Sequence, residues 1–175
     1  MSNTIDYYKE LFIRYRNKGL LLDANLLLLY VVGSYRPNLI QRFKRTQIFA
    51  PEDYTLLVNI IQSFNQVITT PHILTEVSNL SNQLDTSYKP EYFSTFCKVI
   101  TMLNENPIAA KQICHEVGFN KFGLTDMGIV YLAAKSYLVL TMDFPLTGYL
   151  KSKNIDVINF NHIRTLNWTH VKTTR

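Results

Sequence analysis

A chain of 175 residues is long enough for one domain with a sizeable core and short for two. Its 47% hydrophobic, 13% aromatic and 18% charged residues exclude the composition of a disordered chain. The net charge of +5 favours a polyanionic partner, nucleic acid above all, without requiring one.

In chain order, the first expected helix runs from Ile5 to Arg16 and stops at Asn17-Lys18-Gly19, where glycine readily takes the left-handed cap conformation. Gly19 to Asp23 is a short apolar run after a turn signal, the form of a strand buried on both faces, with Asp23 at its carboxyl end. Ala24 to Tyr35 continues as helix, and Arg36-Pro37-Asn38 breaks it. The basic stretch Leu39 to Arg45 follows, then an amphipathic helix from Asp53 to Gln66. Val67 to Thr70 is a β-branched strand, and Pro71 starts a helix over 72–84 that carries Glu76.

The region from Pro90 to Val117 reads as helix, broken at Asn104 to Pro107 and containing no strand. Gly123 to Asp126 opens a further helix, with Thr125 or Asp126 at its N-terminus. Tyr137 to Met142 is a buried strand closing on Asp143, Pro145 to Lys151 a short helix, and Ile155 to Phe160 the last strand. A polar, basic tail from Asn161 ends the single expected domain, 1–175. Strands separated by helices of this length predict an α/β fold, helices flanking a mainly parallel sheet of four or five strands.

Other classes recede. Leu20 to Val32, the most hydrophobic stretch, is shorter than the roughly 20 residues of a membrane span and contains Asp23 and Asn25, so no membrane association is expected. The N-terminus has no secretory signal, and Cys97 and Cys114 form neither a disulfide framework nor a zinc site, which together suit a cytoplasmic protein. His72, His115, His162 and His170 are scattered, and His115-Glu116 does not extend to HExxH spacing.

Asp23 and Asp143 each follow a buried strand, which places both at one rim of a parallel sheet, where ligands bind. Asp126 precedes the helix leading to the Asp143 strand, and Glu76 lies within reach in the helix after the second strand. Taken singly, Asp126 also reads as a helix cap, Glu76 as a solvated helix residue and Asp143 as a turn former. Asp23 does not: between Leu20-Leu21-Leu22 and Leu26 to Leu29, a carboxylate costs several kcal/mol unless a cation, donor or proton compensates it. The other acidic residues, Asp53 among them, fall in amphipathic helices or polar loops and need no ligand. Gathered carboxylates repel one another, and hard divalent cations with oxygen ligands relieve that repulsion. Metal-assisted phosphodiester chemistry is the natural use of such a rim in a basic protein.

Four segments, Leu20 to Leu26, Thr70 to Val77, Leu124 to Ile129 and Val139 to Phe144, together resemble the PIN domain, in particular the single-domain ribonucleases of VapC-type toxins. The resemblance implies a PIN-like three-layer sandwich and an endoribonuclease with Asp23, Glu76, Asp126 and Asp143 as Mg2+ or Mn2+ ligands, Thr141 supporting the site by hydrogen bonding, and products with 5′-phosphate and 3′-hydroxyl ends. It further implies a toxin of a toxin-antitoxin or defence system, with an antitoxin or other inhibitory protein as partner and a homodimer as its assembly. The chain departs from the typical toxin in its length, its helical 91–122 region and its basic tail. Arg36, Arg42, Lys44 and Arg45, with Phe43 and Phe49, either hold RNA phosphates near the Asp23 rim or form a solvated helical face, and the same two readings apply to Arg164, Lys172 and Arg175. Asn25 is either a donor behind the site or a helix-start residue. The competing readings are a non-catalytic PIN-like module binding RNA or protein, and a haloacid-dehalogenase-type phosphatase, which wants an aspartate where Asn25 stands.

Overall fold

Residues 2–165 are described by a computed structural model. Five strands form one wholly parallel sheet in the order β3-β2-β1-β4-β5, with helices on its faces, a three-layer α/β sandwich. The fold class expected from the alternating pattern is the one observed.

Helix α1 (Ser2–Tyr15) ends where Gly19, at φ +119°, donates its N–H to Tyr15 O at 2.9 Å. A Cβ on Gly19 would also stand 2.9 Å from Ile68 Cγ1, so both conformation and space require glycine. The chain then enters β1 (Leu20–Leu22), all three residues buried because helices cover both sheet faces. Helix α2 (Ala24–Tyr35) is apolar nearly all round and buries eight of its twelve residues, packing against α3, α4 and α5 as an internal helix.

After a 3-10 turn at Pro37–Leu39, residues 40–49 run as turns and bends, so the basic stretch forms no helical face. Helix α3 (Pro51–Gln62), strand β2 (Val67–Thr69) and helix α4 (Pro71–Ser81) follow as the sequence pattern anticipates. Helix α5 (Lys89–Met102) leads into β3, the two residues Asn104–Glu105, in a region where no strand was expected. Both are exposed and polar, so no apolar run announces them; pairing with Ile68 and Thr69 is what makes them a strand. The helical stretch expected beyond it shrinks to α6 (Ala110–Ile113).

Helix α7 (Phe119–Ala133) is broken at Gly123 (φ 71°, ψ −170°), a conformation only glycine adopts at little cost, so Asp126 lies in the first turn after the break. Strand β4 (Leu138–Thr141), helix α8 (Phe144–Ser152) and strand β5 (Val157–Asn159) complete the order, with residues 160–165 helical. Lys172 and Arg175 of the expected basic tail lie outside the described residues. Among the described residues no helix is long and apolar enough to cross a membrane.

Candidate active site

Strand order reverses direction between β1 and β4, since β1, β2 and β3 step one way and β4, β5 the other. In open parallel sheets the crevice at the carboxyl ends of such a strand pair is the usual ligand position. Leu22 pairs with Leu140, so continuing the register by one residue sets Asp23 opposite Thr141, which is itself opposite Asn159. A row of polar groups therefore crosses the sheet end, where each strand changes into a helix.

Asp23 is the N-cap of α2 and is 4% exposed. Its Oδ1 accepts the Leu26 N–H at 2.7 Å; its Oδ2 accepts the Thr141 hydroxyl at 2.6 Å and the Met142 N–H at 3.0 Å. Burial pushes its carboxyl up, these three donors pull it down, and the Asp143 charge adds to the upward push; the net direction is up. The compensation that the sequence demanded is thus supplied by donors, not by an arginine.

Thr141 Oγ1 gives its proton to Asp23 and accepts the Asp143 N–H at 3.0 Å, so one hydroxyl fixes the relative position of the two aspartates. Asp143 caps α8 through the Leu146 N–H at 2.6 Å and stays exposed. Behind it, the Thr147 hydroxyl donates to Asp143 O at 2.6 Å and accepts from Asn159 Nδ2 at 2.9 Å, while Asn161 Nδ2 donates to Met142 O at 3.1 Å. These supports were not anticipated. The Asp-Ala-Asn-Leu and Asp-Phe-Pro-Leu segments did carry a signal for the caps, an aspartate ahead of a helix start, with proline in the first turn of the second.

Glu76, half-buried in the second turn of α4, and Asp126, half-buried on α7, come from two helices packed against each other. Burial, then the charges of Asp23, Asp143 and Glu76, push the Asp126 carboxyl from its ordinary 3.8 up to about 7. Asp126 therefore feels the charges of the other three carboxylates. Among the described residues no lysine or arginine forms an ion pair with any of the four, and no donor reaches Asp126. Nor do any three His, Cys, Asp or Glu side chains among them close into a group that could hold a metal ion. The donor set is nevertheless of the right kind for a hard divalent cation: oxygen only, without a cationic partner among the described residues, and partly shielded from water.

Other expected site residues lie elsewhere. Arg36 caps the far end of α2, thirteen residues after Asp23 and about 20 Å along the helix from it, and pairs with Glu91 at 2.8 Å. Arg45 Nε donates to Gln83 Oε1 at 2.9 Å, beyond the end of α4 remote from its start at the rim. Arg36 and Arg45 are thus engaged away from the acidic rim, and Arg42 and Lys44 are exposed. Asn25 is exposed in the first turn of α2, a helix-start residue. Asp53, read as needing no partner, is fully buried and held by Arg164 through Nε–Oδ1 at 2.9 Å and Nη2–Oδ2 at 2.8 Å. Arg164 thus closes the C-terminal turn onto α3 and is not available to phosphate. Comparison with protein-family models, with curated proteins and with solved structures finds no match to this chain.

Proposed function

We propose that this protein is a divalent-metal-dependent endoribonuclease of the PIN type, acting at the rim formed by Asp23, Glu76, Asp126 and Asp143. One observation carries the reading: the charges of Asp23, Asp143 and Glu76, from three other segments, act on Asp126 and help push it up to about 7 near the switch point of a parallel sheet, and no lysine or arginine among the described residues pairs with any of the four. Structural carboxylates are normally paired or solvated, as Asp53 is paired here. A half-buried carboxyl raised by burial and by three neighbouring carboxylates, with no cation paired to it among the described residues, supports a functional reading of the rim.

A Mg2+ or Mn2+ ion held between these carboxylates would neutralise the scissile phosphate and acidify water at the site. The chain's own groups then have distinct tasks. Asp23, immobilised by three donors, offers its remaining lone pairs from a fixed position, and Thr141 keeps Asp143 in register with it. Asp126, whose carboxyl is raised in the metal-free protein, is the carboxylate that would accept the proton lost by the attacking water. Water adds to phosphorus, the P–O3′ bond breaks, and the 3′-oxygen leaves with a proton from solvent, which yields 5′-phosphate and 3′-hydroxyl ends. The net charge of +5 favours the approach of a polyanion to a protein whose site is itself acidic.

End-labelled RNA incubated with the purified protein in Mn2+, Mg2+ or EDTA tests the proposal. Cleavage is expected only with a divalent ion, and Asp126→Asn or Asp143→Asn should slow it by roughly 10²-fold or more. A small phosphate monoester should remain intact. Cleavage that persists in EDTA, or at an undiminished rate in Asp143→Asn, would refute the assignment.

A further inference from the structure

A cavity of about 550 Å3 opens toward the end of the sheet opposite the acidic rim. Its place follows from chain order. Tyr15 ends α1 ahead of β1, Ser136 precedes β4, and Asn154 and Asp156 precede β5, so these lining residues stand at the amino ends of strands, whereas Asp23 and Asp143 follow the carboxyl ends of β1 and β4. Met127, Val130 and Ala133, on one face of α7, line the cavity together with Ile155 and give it an apolar floor. Alanine at both 133 and 134 leaves space that longer side chains would fill.

The aromatic walls are held in place. Tyr149 donates its hydroxyl to Val117 O and packs its ring 4.9 Å from that of Phe122, and Tyr15 donates to Asp156 Oδ2 at 2.8 Å. The polar groups around the floor, by contrast, are left over from folding. Asp156 Oδ2 accepts from Tyr15 and from Arg14 Nη1, at 3.1 Å, but Oδ1 accepts nothing among the described residues. Lys153 Nζ lies 5.6 Å from the centre of the Tyr149 ring and pairs with no carboxylate among them. The side chains of Ser136 and Asn154 have no hydrogen-bond partner among them either. These are also the non-glycine residues with positive φ among the described residues, at 92° and 55°. Asparagine tolerates that region; serine takes it at a cost, and backbone strain of this kind collects at binding sites.

A ligand that matches this lining carries an apolar body for the floor, a cation for the open oxygen of Asp156 and an anion for the Lys153 ammonium. Lys153, Asn154 and Asp156 belong to one turn, so the opposite charges of the ligand lie close together. We propose that the cavity binds a free α-amino acid with a large apolar side chain, its ammonium on Asp156 and its carboxylate on Lys153, with Ser136 and Asn154 as further donors. A simple amine would leave Lys153 facing a cation. A simple carboxylate would face Asp156, and Glu116, exposed on the same cavity, adds to that repulsion. Pockets of this size with an apolar lining and a few convergent polar groups are the usual form of small-molecule sites. The site shares no residue with the acidic rim and stands independently of the nuclease reading.

Calorimetric titration of the full chain with L-phenylalanine, L-leucine, phenethylamine, which lacks the carboxylate, and 3-phenylpropionate, which lacks the ammonium, tests the proposal. Both amino acids should bind saturably, and each analogue should bind roughly 10-fold more weakly than L-phenylalanine or worse, the scale of one lost charge-assisted contact. Lys153→Met should weaken L-phenylalanine by a similar factor without weakening phenethylamine. Asp156→Asn should weaken L-phenylalanine without weakening 3-phenylpropionate. Ala134→Trp, at an exposed position on the cavity, should abolish binding while melting as wild type does.

Asp156 also holds Arg14 and Tyr15, so its variant is read beside its thermal melt; Lys153, exposed and without an ion pair among the described residues, decides the matter if Asp156→Asn is unstable. No saturable binding of either amino acid, an analogue that binds as tightly as L-phenylalanine, or undiminished binding of L-phenylalanine to Lys153→Met overturns the proposal.

Discussion

Replacing Asp126 by asparagine keeps the size of the side chain while removing its charge, and the surroundings of Asp126 set the size of the effect. Its carboxyl is raised from 3.8 to about 7, by burial first and then by Asp23, Asp143 and Glu76. Because the folded value lies above the unfolded one, the folded protein holds an extra proton between these limits. The associated stability is complete below 3.8 and is lost as pH rises through 7. At 1.36 kcal/mol per pKa unit, the metal-free wild type forfeits about 1 kcal/mol by about pH 4.5, about 3 by pH 6 and at most about 4 by pH 8. Asp126→Asn has no proton to lose at this position, so urea denaturation in EDTA should show the variant gaining on wild type by these amounts as pH rises. Saturating Mg2+ or Mn2+ should narrow or reverse the gap, because the ion stabilises only the native state that binds it, and the variant binds it less well. A stability difference that stays flat between about pH 4.5 and 8.5 would show that Asp126 ionises freely and that the four carboxylates do not act on one another.

Asp23→Asn should behave in the opposite way. Oδ2 of Asp23 accepts from both Thr141 and Met142, and an amide in its place turns an N–H2 toward at least one N–H donor, costing about 1–3 kcal/mol in EDTA even though a charge has been removed; an increase in urea midpoint would mean that repulsion outweighs those donors. Arg164→Ala strands the fully buried Asp53 carboxylate and should cost about 3–5 kcal/mol, a fall in melting temperature of roughly 6–20 °C. The paired replacement Asp53→Leu with Arg164→Met should recover most of that loss, and a melt of Arg164→Ala within about 2 °C of wild type would refute the buried pair.

The strands at the centre of the sheet were legible because their signal is local. Leu20 to Leu22 and Leu138 to Leu140 are uninterrupted apolar runs, and burial on both faces of a parallel sheet is what such runs encode. Asp23 and Asp143 were legible for the same reason: polar residues that close a buried strand stand where ligands bind. β3 was not, because Asn104 and Glu105 have no strand character until β2 lies beside them. Asp53 and Arg164 are 111 residues apart, and no local pattern links them. The basic stretch was placed near the rim because it follows Asp23 closely in sequence, but the twelve-residue helix α2 carries Arg36 about 20 Å from Asp23.

The brevity of β3 governs what the sheet can do at its outer edge. An edge strand offers unpaired N–H and C=O groups to any extended chain that approaches, and long, flat, apolar edges are where sheets add strands from other molecules. Here the edge is two residues long, both side chains are exposed, and one of them is the charged Glu105. An incoming strand would find almost no ladder to extend and would bring its own side chains against a carboxylate. The feature that made β3 invisible as a strand is therefore the one that closes the sheet to further growth on that side.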